Sequence, residues 1–260
     1  MLTIQPIGGL CNRMRAIGSA MILANRRGEE LLVYWKVAPE LGCPFEQLFE
    51  KSTAFKLKNY RSDYYPPKVL AQLTGFRVDN EAIRSNRTEE GLNDAYVSSL
   101  PGKVYIATEE HFFKNRDYSA FVPRKDLMKR VDELTQPCKD RLVGVHIRRT
   151  DNKPAIGKSS TDAFIKAMEK ELTQNSDTMF YIATDDLKEE MLLRDRFKGH
   201  IISNEGRDLS RDSITGIRDA LIDLYSLASS TKIIGSYFSS FTDLASDIRG
   251  IPLTIASSDD

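Results

Sequence analysis

The second half of the chain alternates short apolar runs with longer segments whose apolar residues recur every three to four positions. The runs predict strands, and the periodic segments predict helices. Predicted strands cover residues 142–147, 179–183, 200–202, 232–234 and 253–255, and predicted helices cover residues 125–134, 161–172, 187–197, 213–228 and 240–248. This alternation is typical of βαβ units that build a parallel sheet.

The first half opens in the same way. Residues 2–7 predict a strand that ends at Gly8 and Gly9, and residues 31–35 predict a second strand. The helix between them is predicted to end at Gly28. Its apolar face is formed by Met14, Ile17, Met21 and Ala24. The stretch from residue 38 to about 105 mixes proline, tyrosine and charged residues, and it is interpreted as loops and short helices.

A break at Gln136-Pro137-Cys138 separates the two regions. We therefore predict an α/β protein with two Rossmann-like domains, whose mostly parallel sheets face a cleft. The N-terminal domain is placed at residues 1–136 and the C-terminal domain at residues 137–260. Ligands of open α/β sheets bind at the carboxyl ends of the strands, so the facing strand ends are expected to form the active site.

The composition narrows the class of partner. The 260 residues contain 37 basic and 37 acidic side chains, so no net field favours nucleic acid, and an anion site must be built locally. No signal peptide is recognisable, and no apolar run approaches the roughly 20 residues of a transmembrane helix. Cys11, Cys43 and Cys138 are widely spaced, which suits reduced thiols. A cytoplasmic protein is expected.

The segment at residues 142–151 is a buried strand that turns polar at its carboxyl end. Strand alternation predicts that His146 and Arg148 share one face and that Arg149 points the other way. One arginine can bind a diphosphate through its planar fork, and the other can pair with a carboxylate or orient a loop. The alternative is that both arginines are surface residues and His146 is a hydrogen-bonded core histidine.

Two further strand ends carry polar residues. Ser239 and Ser240 open a predicted helix and could cradle a phosphate, although Ser240-x-x-Asp243 also fits a helix cap. Asp185 and Asp186 follow another strand, where Asp185 could cap the next helix or bind a ribose or sugar hydroxyl.

Two other features are weaker on their own. Gly8, Gly9, Asn12 and Arg13 lie where the first strand passes into a helix, and the glycines would let a ligand approach the backbone closely. They match neither a dinucleotide fingerprint nor a P-loop. Asp223 falls on the polar side of its helix, which by itself predicts a solvated acid.

Together these segments resemble the inverting fucosyltransferases, a superfamily that includes α-1,6-fucosyltransferases, nodulation-type bacterial enzymes and protein O-fucosyltransferases. The resemblance covers residues 141–250. The matching segments are residues 146–151, 181–186 and 238–240 for three motifs, residues 221–227 for the helix before the third motif, and residues 8–12 for the N-terminal glycine loop.

The resemblance implies a GT-B fold, a GDP-fucose donor, a glycan or other hydroxyl acceptor, and no required metal or other cofactor. The C-terminal domain would bind the GDP-sugar and the N-terminal domain the acceptor. Arg149 would contact the diphosphate, and Arg148 would assist it or hold the loop.

The resemblance also implies roles for the remaining segments. Asp223 and His146 would read guanine, whose N1–H and amino group match a carboxylate. Ser239 and Ser240 would bind the β-phosphate. The expected chemistry is direct displacement at the anomeric carbon with inversion.

One departure concerns the catalytic base. The α-1,6 enzymes have an acid shortly after the first motif, whereas residues 152–161 here contain none. Asp162 is the first acid beyond them, and Ser159-x-x-Asp162 fits a helix cap better. Asp151 and an acid of the N-terminal domain both remain open as the base.

Three alternatives to a GDP-fucose-dependent fucosyltransferase remain open. The chain could use another GDP-sugar, because phosphate and guanine contacts do not identify the sugar. It could be a catalytically inactive nucleotide-sugar-binding protein, for which the missing base is an argument. A purely structural α/β domain would not bind GDP.

Overall fold

The computed structural model describes residues 1–60, 77–150 and 153–257. The chain divides into two compact units, which are Met1–Arg124 with Ser210–Ile217, and Lys125–Leu209 with Arg218–Asp260. The division falls after Arg124, twelve positions before the boundary predicted from the sequence. The reason is the helix Lys125–Thr135, which the sequence assigned to the first domain. Its Arg130 contacts Asn204 of the second unit, Nε to Oδ1 at 3.3 Å.

The first unit contains a five-stranded parallel sheet in the order β3-β2-β1-β5-β4. The strands are β1 Leu2–Pro6, β2 Leu31–Lys36, β3 Lys56–Tyr60, β4 Arg77–Val78 and β5 Val104–Thr108. The helices are α1 Leu10–Arg27, α2 Asn80–Asn86 and α3 Asp94–Ser99, with a 3₁₀ turn at Phe45–Gln47.

The opening β–α–β unit follows the predicted pattern. Helix α1 ends where Gly28 adopts a φ of 63°, and the Gly28 N–H bonds to carbonyls of the last turn. A left-handed residue at this position is a common helix stop that favours glycine. The strands β3, β4 and β5 were not predicted, and for β3 the reason is that it exposes Lys56 and Lys58 and lacks an apolar run.

The second unit contains a second parallel sheet, in the order β10-β9-β6-β7-β8. The strands are β6 Leu142–Ile147, β7 Met179–Thr184, β8 Ile201–Ile202, β9 Lys232–Gly235 and β10 Leu253–Ile255. The helices are α4 Lys125–Thr135, α5 Lys153–Lys158, α6 Thr161–Gln174, α7 Leu187–Arg196, α8 Ile214–Ala228, of which the residues from Arg218 belong to this unit, and α9 Ser240–Arg249, with a 3₁₀ segment at Gln136–Arg141.

The core of the second unit explains why its strands could be predicted from the hydrophobic pattern of the sequence. All six residues of β6 are buried, since helices cover both faces of the sheet. Phe164 of α6 and Phe180 of β7 belong to the same apolar cluster. On the other face Gly144 lets α8 approach, because a Cβ there would lie 3.0 Å from Leu227 Cδ2 and 2.9 Å from Ser230 Oγ.

Both sheets share a feature that positions a site. Each unit begins with the strand that ends up in the middle of its sheet, so the chain direction across the sheet reverses beside β1 and beside β6. Open α/β sheets bind ligands outside the carboxyl ends of the strands at such a switch point. The two switch points lie between β1 and β5 and between β6 and β9.

Candidate functional site

At the switch point of the second sheet, the loops after β6 and β9 are joined by Ser236. Its hydroxyl accepts a hydrogen bond from Arg148 N at 2.9 Å and lies 3.2 Å from the His146 carbonyl oxygen. The Ser236 N–H also donates to that carbonyl, at 3.1 Å. These contacts hold Arg148 at the edge of the sheet, directly beside the loop that leads into α9.

Asp185 organises the other side of the same loop. Its carboxylate accepts from Arg149 N at 2.7 Å and from Thr150 Oγ1 at 2.6 Å, and it pairs with Arg148 Nη1 at 3.2 Å. The possibility that Asp185 caps the next helix is therefore wrong. Asp186 is the N-cap of α7, where its side chain accepts from Lys188 N at 2.9 Å. Both oxygens of Asp185 are committed to the loop of residues 148–150.

The two adjacent arginines have different surroundings. Arg149 Nη2 lies 2.8 Å from Glu189 Oε1, and Arg149 Nη1 donates to the Ser159 carbonyl at 2.9 Å. The guanidinium carbon also lies 5.7 Å from the centre of the Phe164 ring. Arg149 is 12% exposed, against 22% for the side chain of Arg148. These contacts commit much of the Arg149 guanidinium to partners within the protein, and the prediction that Arg149 contacts a diphosphate stays a prediction.

His146 is a buried part of the core. Its Nδ1 lies 2.6 Å from Thr242 Oγ1, and its ring stacks on Phe241 with centroids 4.7 Å apart. Burial, assisted by the nearby Arg148 charge, lowers the pKa of His146 to about 3, so the imidazole is neutral at physiological pH. This is the hydrogen-bonded core histidine of the alternative interpretation.

The N-terminus of α9 lies at the same switch point. The predicted capping box of Ser240 and Asp243 is wrong, because the N-cap is Ser239 and its side chain makes no capping hydrogen bond. The first-turn N–H groups of a helix have no intrahelical partner and suit an anion. The preceding Phe238 has a φ of 51° and is 77% exposed, an uncommon conformation for a bulky residue that clusters at functional sites.

Asp223 is not the solvated acid that helix periodicity suggests. It is only 6% exposed, Tyr181 donates its hydroxyl proton to Asp223 Oδ1 at 2.6 Å, and Arg207 Nε lies 3.4 Å from Asp223 Oδ2. Burial raises the pKa of Asp223 to about 7, although Arg207 and Tyr181 oppose that rise. The prediction failed because residues 221–228 of α8 are all buried, so the helix has no polar face there.

The switch point of the first sheet brings together the glycine loop and an acid that the sequence did not single out. Gly8 has a φ of 78°, and a Cβ there would lie 3.2 Å from Glu109 Oε2 and 3.3 Å from Asn12 Nδ2. A Cβ on Gly9 would meet nothing within 4 Å. Glu109 directly follows β5 and is exposed. The backbone loop is therefore open on the side of Gly9 and flanked by a carboxylate on the side of Gly8.

Arg13 does not take part in this opening. It is fully buried, its Nε donates to the Gly8 carbonyl at 2.8 Å, and its guanidinium carbon lies 5.1 Å from the centre of the Trp35 ring. Burial lowers the pKa of Arg13 to about 10 despite the charge of Glu40. Arg13 holds the glycine loop from beneath, which corrects its prediction as a ligand-binding residue.

The remaining predictions concern Asp151, metal binding and membrane-spanning helices. Asp151 is outside the described residues. Across residues 1–60, 77–150 and 153–257, no three His, Cys, Asp or Glu side chains converge as metal ligands would. Within the same ranges, no helix combines the length and the apolar character needed to cross a bilayer.

No protein-family model and no curated protein matches the chain by sequence. Solved structures do match by fold. NodZ α-1,6-fucosyltransferase soaked with GDP-fucose aligns over 95% of this chain and 92% of its own, at 16% identity and a TM-score of 0.64. A variant of Arabidopsis thaliana FUT1 with GDP aligns over 98% and 69%, at 15% identity and a TM-score of 0.62. POFUT1 with GDP aligns over 98% and 97%, at 9% identity and a TM-score of 0.59.

The chain has the fold of these fucosyltransferases. The predicted α/β, GT-B-like class is confirmed, with two mostly parallel sheets that are in fact wholly parallel over the described strands. The likeness extends over the first unit as well, where the sequence resemblance was confined to the glycine loop. At 16% identity or less it establishes the fold, and the roles of individual residues must be argued from their geometry.

Proposed function

We propose that the chain is a glycosyltransferase that moves fucose from GDP-fucose to a hydroxyl acceptor, with inversion at the anomeric carbon. The observation that carries the proposal is the position of Arg148 at the switch point of the second sheet, where its N–H bonds to Ser236 in the segment that leads to the N-terminus of α9. The shared fold adds support, because the similar structures include fucosyltransferases with GDP or GDP-fucose. The three cysteines are buried thiols, which fits a cytoplasmic protein.

In this proposal Arg148 binds the diphosphate. Its side chain is partly exposed and anchored through Asp185, and a guanidinium binds phosphate oxygens bidentately. Ser239, Ser240 and the first-turn amides of α9 supply further donors with the positive end of the helix dipole. The site therefore offers a cation and oriented amides to the charge that develops on the leaving diphosphate.

Arg149 acts as a positioning residue. Its guanidinium bonds to Glu189 and to the Ser159 carbonyl, while its backbone N–H bonds to Asp185. The loop that carries Arg148 is thus fixed from below by a buried ion pair. Preorganisation of this kind lets a catalytic donor act without rearrangement at the moment of reaction.

Asp223 is the residue proposed to read the base. A carboxylate can accept hydrogen bonds from both N1–H and the 2-amino group of guanine. Asp223 contacts Arg207, and Arg207 donates to the carbonyl of Thr184, the last residue of β7. Asp223 therefore lies near the carboxyl end of that strand. His146 supports the site from the core, since its Nδ1 and one ring face are already occupied.

Transfer requires a proton acceptor. As the bond between the anomeric carbon and the diphosphate oxygen breaks, the acceptor oxygen forms the new bond and its proton must pass to a base. We propose Glu109 as that base among the acids of the first unit. It is exposed at the first switch point beside Asn12. Its neighbour Glu110 is only partly exposed and is paired with Arg84 and Arg87.

The decisive experiment is a pair of titrations. By calorimetry, GDP is expected to bind more tightly than UDP, and with equal affinity in excess chelator and in Mg²⁺. Release of fucose from GDP-fucose should exceed release of mannose from GDP-mannose. GDP binding without turnover of either sugar, over a broad range of hydroxyl acceptors, would favour the inactive nucleotide-sugar-binding protein. Failure to bind GDP at all would overturn the proposal.

A further inference from the structure

A buried cluster of charges lies behind the carboxyl end of β7. At its centre is Arg207, whose side chain is 2% exposed. Arg207 Nη2 lies 2.6 Å from Glu190 Oε2 and donates to the Thr184 carbonyl at 3.2 Å. Arg207 Nε lies 3.4 Å from Asp223 Oδ2. The guanidinium therefore joins the acid proposed to read the base with an acid on α7.

The contact between Arg207 and Asp223 is a charge pair rather than an aligned hydrogen bond. Arg207 Nε has no aligned acceptor within the described residues. Asp223 Oδ1 accepts from Tyr181, whereas Oδ2 faces the arginine without accepting a short hydrogen bond from it. A carboxylate oxygen offers about two acceptor positions. Oδ2 can thus be stabilised in its charged form by Arg207 and still accept from a ligand.

The groups around Asp223 act in opposite directions on its pKa. Arg207, from the segment after β8, favours the ionised form, and Tyr181 on β7 does so through its hydrogen bond. Burial disfavours the charge most strongly, and Asp219 of α8 and Glu190 of α7 add like-charge repulsion, which leaves the pKa of Asp223 at about 7. Removing the Arg207 cation would move the balance toward the neutral acid.

We propose that Arg207 is a positioning residue that acts through Asp223: it holds this carboxylate in its charged form and thereby makes the site select guanine over a purine that lacks the 2-amino group. The inference rests on the proposed function, since it assumes that Asp223 faces the base of a nucleoside diphosphate. A charged carboxylate accepts from N1–H and from the 2-amino group together, whereas a protonated one loses much of that acceptor strength. Inosine diphosphate keeps the diphosphate and N1–H but lacks the amino group.

The test measures the dissociation constants of GDP and inosine diphosphate by calorimetry between about pH 5.5 and 9. Their ratio cancels the titration of the phosphates, which both ligands share. In the wild type, preference for GDP should be weak in acid and rise through about pH 7, because Asp223 must lose its proton. Four variants are compared: Arg207→Met with Glu190→Gln, which removes both buried charges together; Glu190→Gln; Arg207→Lys; and Arg194→Met.

The variants are expected to shift the midpoint of this pH profile in different directions. The double variant should move it up by about one pH unit or more, which lowers the charged fraction of Asp223 at pH 7 from about one half to about one tenth and the GDP preference by about fivefold. Glu190→Gln should move it down, because a like charge is removed. Arg207→Lys keeps the cation and should stay near the wild type. Arg194→Met breaks the 3.1 Å pair with Glu190, the 3.2 Å pair with Glu205 and the contact with Ser203, but it leaves Arg207 in place and should leave the midpoint unchanged.

Circular dichroism of each variant separates loss of fold from loss of selectivity. If the double variant does not fold, the two single variants Arg207→Lys and Glu190→Gln still measure the effect of these charges on the midpoint. The inference is overturned if the wild type prefers GDP with the expected pH profile while the double variant keeps the same midpoint, or if Glu190→Gln moves the midpoint upward. In either case the proposed function stands. A wild type that binds neither nucleotide at any pH overturns the proposed function itself.

Discussion

The guanidinium of Arg149 and the carboxylate of Glu189 form an ion pair of 2.8 Å, in which both side chains are about nine-tenths buried. Thr161 completes the contact by donating its hydroxyl proton to the same Glu189 oxygen at 2.7 Å. The two neighbouring arginines therefore differ in accessibility. Arg149 is bonded to buried groups of the protein, while Arg148 remains partly exposed at the sheet edge.

The first prediction concerns Arg148. Arg148→Lys keeps the charge and loses the planar fork, so it should lower kcat for GDP-fucose by about 10²-fold, the scale of losing one preorganised donor at developing charge. GDP affinity should fall much less, because the contact tightens as the diphosphate leaves. Arg249→Lys, an exposed residue at the other end of α9, is the matched control. Wild-type turnover by Arg148→Lys would remove this residue from the diphosphate site.

The second prediction separates Arg149 from Arg148. Arg149→Met leaves Glu189 buried without its cation, and breaking a buried pair on one side costs about 3–5 kcal/mol. Urea denaturation should show this loss in the free energy of unfolding. Arg84→Met, which breaks an exposed pair with Glu110, should change the stability far less. If Arg149→Met unfolds at the wild-type urea concentration, the ion pair does not hold the loop.

The third prediction tests the proposed base. Glu109→Gln removes the proton acceptor without changing size, so kcat should fall by about 10²-fold or more. GDP affinity should be unchanged, since a base for the acceptor hydroxyl acts on the acceptor and not on the nucleotide. Glu110→Gln is the neighbouring control and should retain its rate. Equal rates for Glu109→Gln and the wild type would return the search to Asp151.

The fourth prediction concerns the packing of α8 on β6. In Gly144→Ala the new methyl group lies 2.9 Å from Ser230 Oγ and 3.0 Å from Leu227 Cδ2, so α8 must shift. Overpacking of this kind costs about 1–3 kcal/mol. Thermal unfolding of Gly102→Ala provides the comparison, because a Cβ at Gly102 meets nothing within 4 Å. An unchanged melting temperature for Gly144→Ala would mean that the helix adjusts freely.

The sequence predicted most of the second unit because its strands are buried on both sides. β6 and β10 begin and end at the predicted residues, and the other predicted elements differ by one or two positions, whereas the short helix α5 and the 3₁₀ segment Gln136–Arg141 were not predicted. In the first unit, β3 was missed because an edge strand with exposed lysines carries no apolar signal. Hydrophobic periodicity detects burial, so it fails where a strand is half solvated.

The candidate site was only partly predictable for a related reason. Strand alternation predicts different surroundings for the two arginines, and their side chains do have different partners, since Arg148 pairs with Asp185 and Arg149 with Glu189. It could not show which of them meets a buried acid, because Glu189 lies about 40 positions further along the chain, on α7, and carries no motif of its own. Arg207 was invisible for the same reason, since its role depends on partners from β7, α7 and α8.

The assignment of Ser210–Ile217 to the first unit has a consequence for biosynthesis. Gly42 donates its N–H to the Arg211 carbonyl at 2.7 Å, across a contact so close that a side chain at Gly42 would strike Asp212. During translation Met1–Arg124 leaves the ribosome well before Ser210–Ile217 is synthesised. Until then the N–H of Gly42 lacks its partner, the Arg211 carbonyl. The first unit reaches its complete set of hydrogen bonds only after most of the second unit has been translated. A nascent chain arrested before residue 210 should therefore be cleaved by protease near Gly42, and one released after residue 217 should resist.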